Sequence, residues 1–380
     1  MHPLDTPGSL LLDTARPGGA EQRSLWLRTP RQVFQTHHPQ EVETVLRNAV
    51  AALDAGAWVA GLLTYEAGLA LAGLPVTPPE VLPLVWLAAF DAPEPLPDLP
   101  TPTLPPAYLQ PRWNEAQYTE RHERVRALIR EGDVYQVNLT FPVEGHVEVP
   151  GSALYARLRA RQPVPFGALL SLEGAQVVSL SPELFLRIDA DASGARRITT
   201  RPMKGTAPRG GAPAEDVALR DALSNDPKNR AENLMIVDLL RNDLAVVCDP
   251  GSVTVPALFE TEQHPTLTQM TSTVEGTLVQ DVTLADVFAA LFPSGSITGA
   301  PKRRAMERIA ELEDTPRGAY CGALGYAAPD GSAVFSVAIR TVTLSQGRAV
   351  LGVGSGVTYD SVAADEYREC LLKARFLAPS

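Results

Sequence analysis

Lysine is nearly absent from this 380-residue chain. Of its 33 basic residues only four are lysine, namely Lys204, Lys228, Lys302 and Lys373; the rest are arginine. Arginine evidently serves wherever a generic surface cation is wanted. A surviving lysine then either marks a place suited to a compact, titratable, nucleophilic amine, which a guanidinium cannot supply, or falls there by chance. Cysteine is as scarce. Cys248, Cys321 and Cys370 lie far apart with no C-x-x-C pair, which argues against a disulfide frame or a cysteine zinc site and for a reducing, cytoplasmic setting. The longest apolar run, 81–90, contains Pro83 and is too short to span a bilayer. The N-terminus lacks the basic-then-apolar layout of a signal peptide. Positive charge is in deficit as well. The formal net charge is −11 and the one dense basic run is Lys302-Arg303-Arg304, so neither a nucleic acid nor a membrane is an expected partner.

What is present is the balance of a folded globule, with 45% hydrophobic and 20% charged residues,. Proline is abundant at 34, and twelve of these fall between Pro75 and Pro111. The stretch 91–111 reads as a proline-rich connector. It separates an N-terminal region, 1–90, from a larger region, 112–380. The periodicities predict helices over 39–55, 152–161, 214–224, 227–246, 284–292, 301–311 and 362–378. A further helix follows an Asn114/Gln117 capping box. Strands are predicted at 58–65, 81–90, 134–143, 166–172, 176–180, 184–188, 197–200, 320–327, 333–344 and 349–354, with a turn at 191–194. Strands cluster, with helices between the clusters, which is an α+β pattern.

Five segments carry chemistry. On the C-terminal helix, Glu366, Glu369 and Lys373 share one face. That spacing suits a hard-cation site, although a solvated Glu/Lys face is the simpler reading. The glycine run 352–356 precedes it as a strand exit that would let backbone approach a ligand. In 226–243, Glu232 lies one turn after Lys228, again compatible with an amphipathic helix and salt-bridged ends. In 292–302, small residues lead into a helix with Pro301 at its first position, either an anion-binding N-terminus or a structural turn. It does not match a nucleotide P-loop. In 201–210, Lys204 stands on a Pro/Gly-flanked turn beside two arginines, whose charge would lower its pKa and favour the neutral nucleophile; a solvated loop lysine is the alternative. Glu183, at a turn between strands, is either a general acid or a solvated turn residue.

Taken together these segments resemble the chorismate-utilising enzyme family. Nine motifs stand in register: GDVYQVNL, SLSPE, RPMKGTAPRG, RAENLMIVDLLRND, QMTSTVEG, FPSGSITGAPK, YCGALGY, VAIRTV, and a glycine run before EYRECLLK. In the N-terminal region, Gly61 to Ala67 is similar to the G-x-L-S-Y-E-A of component I members. The resemblance implies one large α+β fold, two orthogonally packed and mostly antiparallel sheets with helices outside, with the N-terminal region packed into it. Two positions separate the branches. Lys204 stands where anthranilate-forming and isochorismate-type members carry Ala, and Gln136 where isochorismate and salicylate synthases carry a water-activating Lys. Both are implied for the aminodeoxychorismate synthase component I branch, which makes 4-amino-4-deoxychorismate from chorismate and ammonia toward p-aminobenzoate and folate.

The same resemblance implies the site. Glu232 and Glu369 would bind Mg²⁺, supported by Glu366. Tyr320, Arg340 and the backbone of Gly354, Ser355 and Gly356 would hold the enolpyruvyl carboxylate, with Lys373 nearby. Gln136, Gly205, Thr206 and Thr298 would complete the substrate pocket. Glu183 would protonate the departing hydroxyl and Lys204 would add covalently. No Gly-x-Cys-x-Gly nucleophile is present, so a separate glutamine amidotransferase subunit is the expected ammonia source. Two departures are Asn229, where relatives often carry an acid, and Gln269, where several carry His. The competing readings are anthranilate synthase component I and a non-catalytic chorismate- or tryptophan-binding regulator on the same fold.

Overall fold

A computed structural model describes residues 2–15, 23–102, 108–191, 194–263 and 267–377. Its strands form two sheets, and every pairing between named strands is antiparallel. The first sheet runs in the order Gly299–Ala300, Gln136–His146, Arg348–Val357, Thr341–Ser345, Ala175–Ser181, Phe166–Leu172, Leu10–Asp13, Leu25–Leu27, and Tyr108–Pro111 also pairs with Gln136–His146. The second runs Met203–Pro208, Leu267–Thr277, Arg196–Arg201, Leu184–Ala190, Ala333–Val337, Ala323–Ala327, Trp58–Leu63, Val85–Phe90, Gln32–Thr36, with Thr254–Gln263 beside Leu267–Thr277.

The N-terminal residues thus supply strands to both sheets. Alternation along these strands splits their side chains between two apolar cores. Leu10 and Leu12 join Ala60, Leu62, Trp86, Phe166, Leu184 and Leu324, whereas Leu11, Val59 and Leu63 join the larger core under the helices. The proline-rich stretch is fastened at both ends. Glu94 bridges Trp26 and pairs with Arg28 at 2.7 Å, and Tyr108–Pro111 is a strand. Its residues 103–107 lie outside the described residues, as do 192 and 193 of the predicted turn and 378 of the last predicted helix.

Local signals placed the helices well. Asn114 and Gln117 form the reciprocal capping box, and Asp226 caps Pro227–Ala245 by accepting from the Asn229 N–H at 2.7 Å,. Pro301 departs from expectation: it is the cap residue preceding Lys302–Leu312 rather than the first residue within it. A short helix, Tyr65–Leu71, takes over where a strand was expected to continue. Thr254–Gln263 and Leu267–Thr277 form a hairpin that no apolar run announced, because Thr254–Gln263 is half-exposed along its length.

The largest correction concerns 333–344, expected as one strand. It is two, Ala333–Val337 in the second sheet and Thr341–Ser345 in the first. The chain changes sheets at Ala338-Ile339-Arg340, where Arg340 takes a left-handed φ of 51°. A second crossover lies beside it, since Ala175–Ser181 belongs to the first sheet and Leu184–Ala190 to the second. The two corners are bonded together. Leu180 N–H donates to Arg340 O at 3.1 Å, Val337 N–H to Glu183 O at 3.1 Å, and Ser181 Oγ to Val337 O at 2.5 Å.

One buried ion pair ties these layers. The Arg317 guanidinium donates to both oxygens of Glu313, at 2.7 and 2.8 Å, to Ile297 O at 2.8 Å and to Asn138 O at 2.8 Å, and it lies 4.3 Å over the Tyr65 ring. Removing one partner would leave a buried charge uncompensated. Arg317→Met should therefore lower unfolding free energy by about 3–5 kcal/mol in urea titrations, and adding Glu313→Gln should recover part of the loss.

A second expectation concerns Glu66. Burial raises its carboxyl to about 7, against the pull of N–H donors from Arg317 and Gly318. A carboxyl raised from its ordinary value contributes stability that is complete below that value and is lost as pH rises through about 7. Thermal melts should show the melting temperature falling more steeply between about pH 5 and about pH 8 in the unaltered chain than in Glu66→Gln.

Candidate functional site

The two sheet-changing corners set Glu183 and Arg340 side by side. Glu183 is not a solvated turn residue: it is 4% exposed, and burial pushes its carboxyl up to about 7, opposed by Ser296, Lys204 and Arg340. The Ser296 hydroxyl donates to Glu183 Oε1 at 2.5 Å. Arg340 loses hydration in the same place, and burial draws its guanidinium down to about 10 despite Glu183. Its guanidinium makes no hydrogen bond or ion pair among the described residues. That leaves its planar fork available for an anion.

Lys204 lies on Met203–Pro208, an edge strand rather than a free turn. Opposite Leu267–Thr277 the register runs Met203↔Thr271 and then Thr206↔Gln269, so one extra residue is inserted at Lys204 and Gly205. Such a bulge re-aims the local side chain. Gly205 has a φ of +89°, and a Cβ there would lie 3.0 Å from Asn229 Oδ1. The Lys204 ammonium is held below its ordinary pKa by burial first, with Lys373 adding to this and Glu232, Glu183 and Glu369 opposing it. The neighbouring arginines are not the cause. Arg201 pairs with Glu262 and Arg209 with Asp216, which spends their charge elsewhere.

Gln136 completes this buried pole. Both atoms of its amide are buried without a partner, an expensive arrangement unless a ligand satisfies them. A Cβ on Gly356 would lie 2.4 Å from Gln136 Nε2 and 3.2 Å from Lys204 Nζ, so the glycine leaves the space both groups occupy. The glycine run is not a strand exit; it lies within Arg348–Val357, with Gly354 opposite Thr140 and Gly356 opposite Asn138. Tyr320 is further along, its ring where a Cβ on Gly352 would fall. Ser355 is buried and 2.8 Å from Tyr118 Oη.

A second, acidic pole opens toward solvent. Glu232 comes from Pro227–Ala245, Glu366 and Glu369 from Ala363–Ala374. Burial raises the Glu232 carboxyl, and Glu366 and Glu369 add to this, while Lys204 and Lys228 oppose it. Lys228 Nζ stands 3.9 Å from Glu232 and 3.8 Å from Glu366, and Lys373 Nζ 2.7 Å from Glu369, also donating to Gly354 O at 2.8 Å. Three of the four lysines thus belong to this site. The fourth, Lys302, is structural: it pairs with Asp243 at 2.6 Å and donates to Leu291 O, which favours the structural-turn reading of 292–302. The donor chemistry fits a hard dication, because three carboxylates from two helices repel one another and Mg²⁺ prefers oxygen ligands. Among the described residues no three acidic, His or Cys side chains are gathered to hold a metal.

Of the remaining expected residues, Thr206 is exposed. Thr298 is buried, and its hydroxyl donates to Ser294 O at 3.0 Å. Sequence reasoning passed over Ser296, whose only signal was its place in a run of small residues. Gln269 Oε1, beside Thr206, is a further buried acceptor with no partner.

Comparison with known proteins supplies the family and the fold. The family described as chorismate binding enzyme matches residues 14–379. The aminodeoxychorismate synthase of Streptomyces pristinaespiralis is 46% identical over 277 residues, 73% of this chain and 38% of that protein. Aminodeoxychorismate synthase component 1 of Klebsiella aerogenes is 41% identical over 286 residues, 75% of this chain and 61% of that one. The chain therefore spans less than two thirds of the length of these relatives. The crystal structure of anthranilate synthase component I from Streptococcus pneumoniae superposes with a TM-score of 0.81 at 24% identity, covering 98% of this chain and 92% of that one, a likeness of fold. With a match running almost end to end over this pair of corners, this chain belongs to the chorismate binding enzyme family.

Proposed function

We propose that this chain is the chorismate-aminating component of an aminodeoxychorismate synthase, taking chorismate and ammonia to 4-amino-4-deoxychorismate toward p-aminobenzoate and folate. The observation that carries the reading is Lys204, a partly desolvated amine on a β-bulge between Glu183 and the acidic pole. A separate glutamine amidotransferase component supplies the ammonia, in keeping with the component 1 name of the relative from Klebsiella aerogenes.

In this reading Arg340 and the backbone of Gly354, Ser355 and Gly356 bind the enolpyruvyl carboxylate, with Tyr320 and Lys373 behind them. Glu232 and Glu369 hold Mg²⁺, with Glu366 in support, and the ion when bound supplies positive charge to the ring carboxylate. Burial keeps Lys204 able to shed its proton, and the free amine bonds to ring carbon C2. The ring double bonds shift, the C4–O bond breaks, and the hydroxyl leaves as water with the proton of Glu183. Ammonia then bonds to C4, the double bonds return, and the C2–N bond breaks to release Lys204. One difficult substitution becomes two easier ones. The Gln136 amide finds its missing partners on the bound substrate.

Two outcomes test this. Glu369→Gln should weaken Mg²⁺ binding in calorimetric titration and abolish turnover while circular dichroism stays unchanged; unaltered Mg²⁺ affinity would remove Glu369 from the metal site. Lys204→Arg keeps charge and approximate size but cannot become a neutral amine. With ammonium as nitrogen source its kcat should fall by about two or more orders of magnitude, with little change in KM. Chorismate without ammonia should leave a mass adduct on the Lys204 peptide of the unaltered chain. A Lys204→Arg variant at full kcat, with no adduct trapped, would reduce Lys204 to an electrostatic role and favour amination at C2.

A further inference from the structure

The group that Glu183 leans on is not one of the expected site residues. Ser296 sits on the short helical turn Gly295–Ile297, 5% exposed, with Oγ 2.5 Å from Glu183 Oε1 and 3.0 Å from Ser294 Oγ. Ser294 is equally buried, and its Oγ also accepts from Ser296 N–H at 3.4 Å. A serine hydroxyl has one hydrogen. If Ser296 spends it on Glu183, the short contact between the two serines can only be filled by Ser294 donating to Ser296. The order is thus fixed by counting, from Ser294 to Ser296 to Oε1. The turn itself is clamped, since Thr298 Oγ1 donates to Ser294 O and Arg317 donates to Ile297 O at 2.8 Å. Neither serine can follow Glu183 if the carboxyl swings.

We propose that Ser294 and Ser296 form a hydroxyl chain that saturates Oε1 of Glu183 and so commits the carboxyl's exchangeable proton to Oε2, making both serines positioning residues for the general acid. The idea rests on the acid role given to Glu183 above, and it adds what fixes the proton's place. A carboxyl free to turn would carry its proton on either oxygen, and only one of them can face the departing hydroxyl. Oε1 receives a hydrogen bond in both protonation states of the carboxyl, so no hydroxyl need reorient when the proton leaves. Ser296 is also the largest influence favouring the ionised form, ahead of Lys204 on its bulge and Arg340 at the second corner. These are the charged groups that face Glu183.

The sign follows from hydrogen bonding. A donor to a buried carboxylate favours the ionised form, so removing it raises the pKa. A general acid works while protonated, so activity falls as pH rises through that value. Ser296→Ala should move the carboxyl's titration, read from the infrared C=O band and assigned by its loss in Glu183→Gln, upward by about one pH unit. It should carry the alkaline limb of kcat with it, lower the kcat plateau about tenfold, and leave KM for chorismate nearly unchanged. Ser296→Thr keeps the hydroxyl and should restore both. Ser294→Ala, which leaves Ser296 in place, should move the same band in the same direction by a smaller amount. A merely structural serine would lower activity without moving the titration. An unmoved carboxyl band in Ser296→Ala overturns the proposal, and an unmoved band in Ser294→Ala overturns the two-serine chain. Should Ser296→Ala fail to fold, the Ser294→Ala titration decides alone. A band that moves in a chain that never aminates chorismate leaves the hydroxyl chain standing and defeats the functional reading instead.

Discussion

The Arg317–Glu313 pair is the constraint on which the rest of the structure hangs. A guanidinium stripped of water needs every donor answered, and here the answers come from three separate segments. Glu313 takes two bonds, Asn138 belongs to the strand that carries Gln136, and Ile297 belongs to the turn that carries Ser296. Glu313 Oε1 in turn accepts from Thr140 N–H at 2.9 Å. Tyr65 lies against the flat face of the cation, and Glu66 caps the backbone of Arg317 and Gly318. The N-terminal region is therefore bonded to the same residue that holds the strand carrying Gln136. Such pairs add little net stability over a well-packed apolar substitute. Their effect here is geometric: three segments cannot shift independently while one planar cation is shared among them.

Two kinds of support divide the site. Glu183 and Arg340 sit on backbone that is bonded corner to corner between sheets, so their separation is set by the sheets themselves. Glu232, Glu366 and Glu369 ride on helices packed over those sheets, where small shifts of a helix change the distances between carboxylates. Lys204 stands between the two, on an edge strand with a bulge. The first arrangement is fixed by backbone pairing and the second by helix packing. Burial, with Glu366 and Glu369, pushes the Glu232 carboxyl up, and Lys228 and Lys373 lie against these carboxylates.

Much of this was legible in the sequence because motifs report residue identity at fixed spacing. The scarcity of lysine singled out four positions, and three of them meet at the site. Capping residues marked helix starts because caps act locally. What stayed hidden depends on contacts between distant segments. The sheet change at Arg340 carries no turn signal, since no Gly, Pro, Asn or Asp interrupts 333–344, and periodicity carries no mark of which sheet a strand joins. The setting of Glu183 was missed for the same reason, because a turn between strands is usually wet and only the second crossover buries this one. The true cause of the low Lys204 pKa was hidden too. Arg201 and Arg209 are its neighbours in sequence, but they face Glu262 and Asp216, and neither partner is predictable from spacing. Ser296 gave no signal because a serine in a small-residue run has no pattern to break.

The way the sheets are threaded has a consequence for how the chain is made. Trp58–Leu63 pairs on one side with Val85–Phe90 and on the other with Ala323–Ala327, and Leu10–Asp13 pairs with Phe166–Leu172. During synthesis the first three strands of the second sheet can find one another early, but one flank of Trp58–Leu63 has no partner until Ala323–Ala327 has left the ribosome. Contacts of such sequence separation close late, and an apolar strand flank left open meanwhile is a site for wrong pairing. The helix that carries Glu366 and Glu369 is later still, beginning at Ala363. The acidic pole is thus assembled after the sheets it lies on, and a chain stalled before that point would expose a finished corner with Glu183 and Arg340 but neither Glu366 nor Glu369.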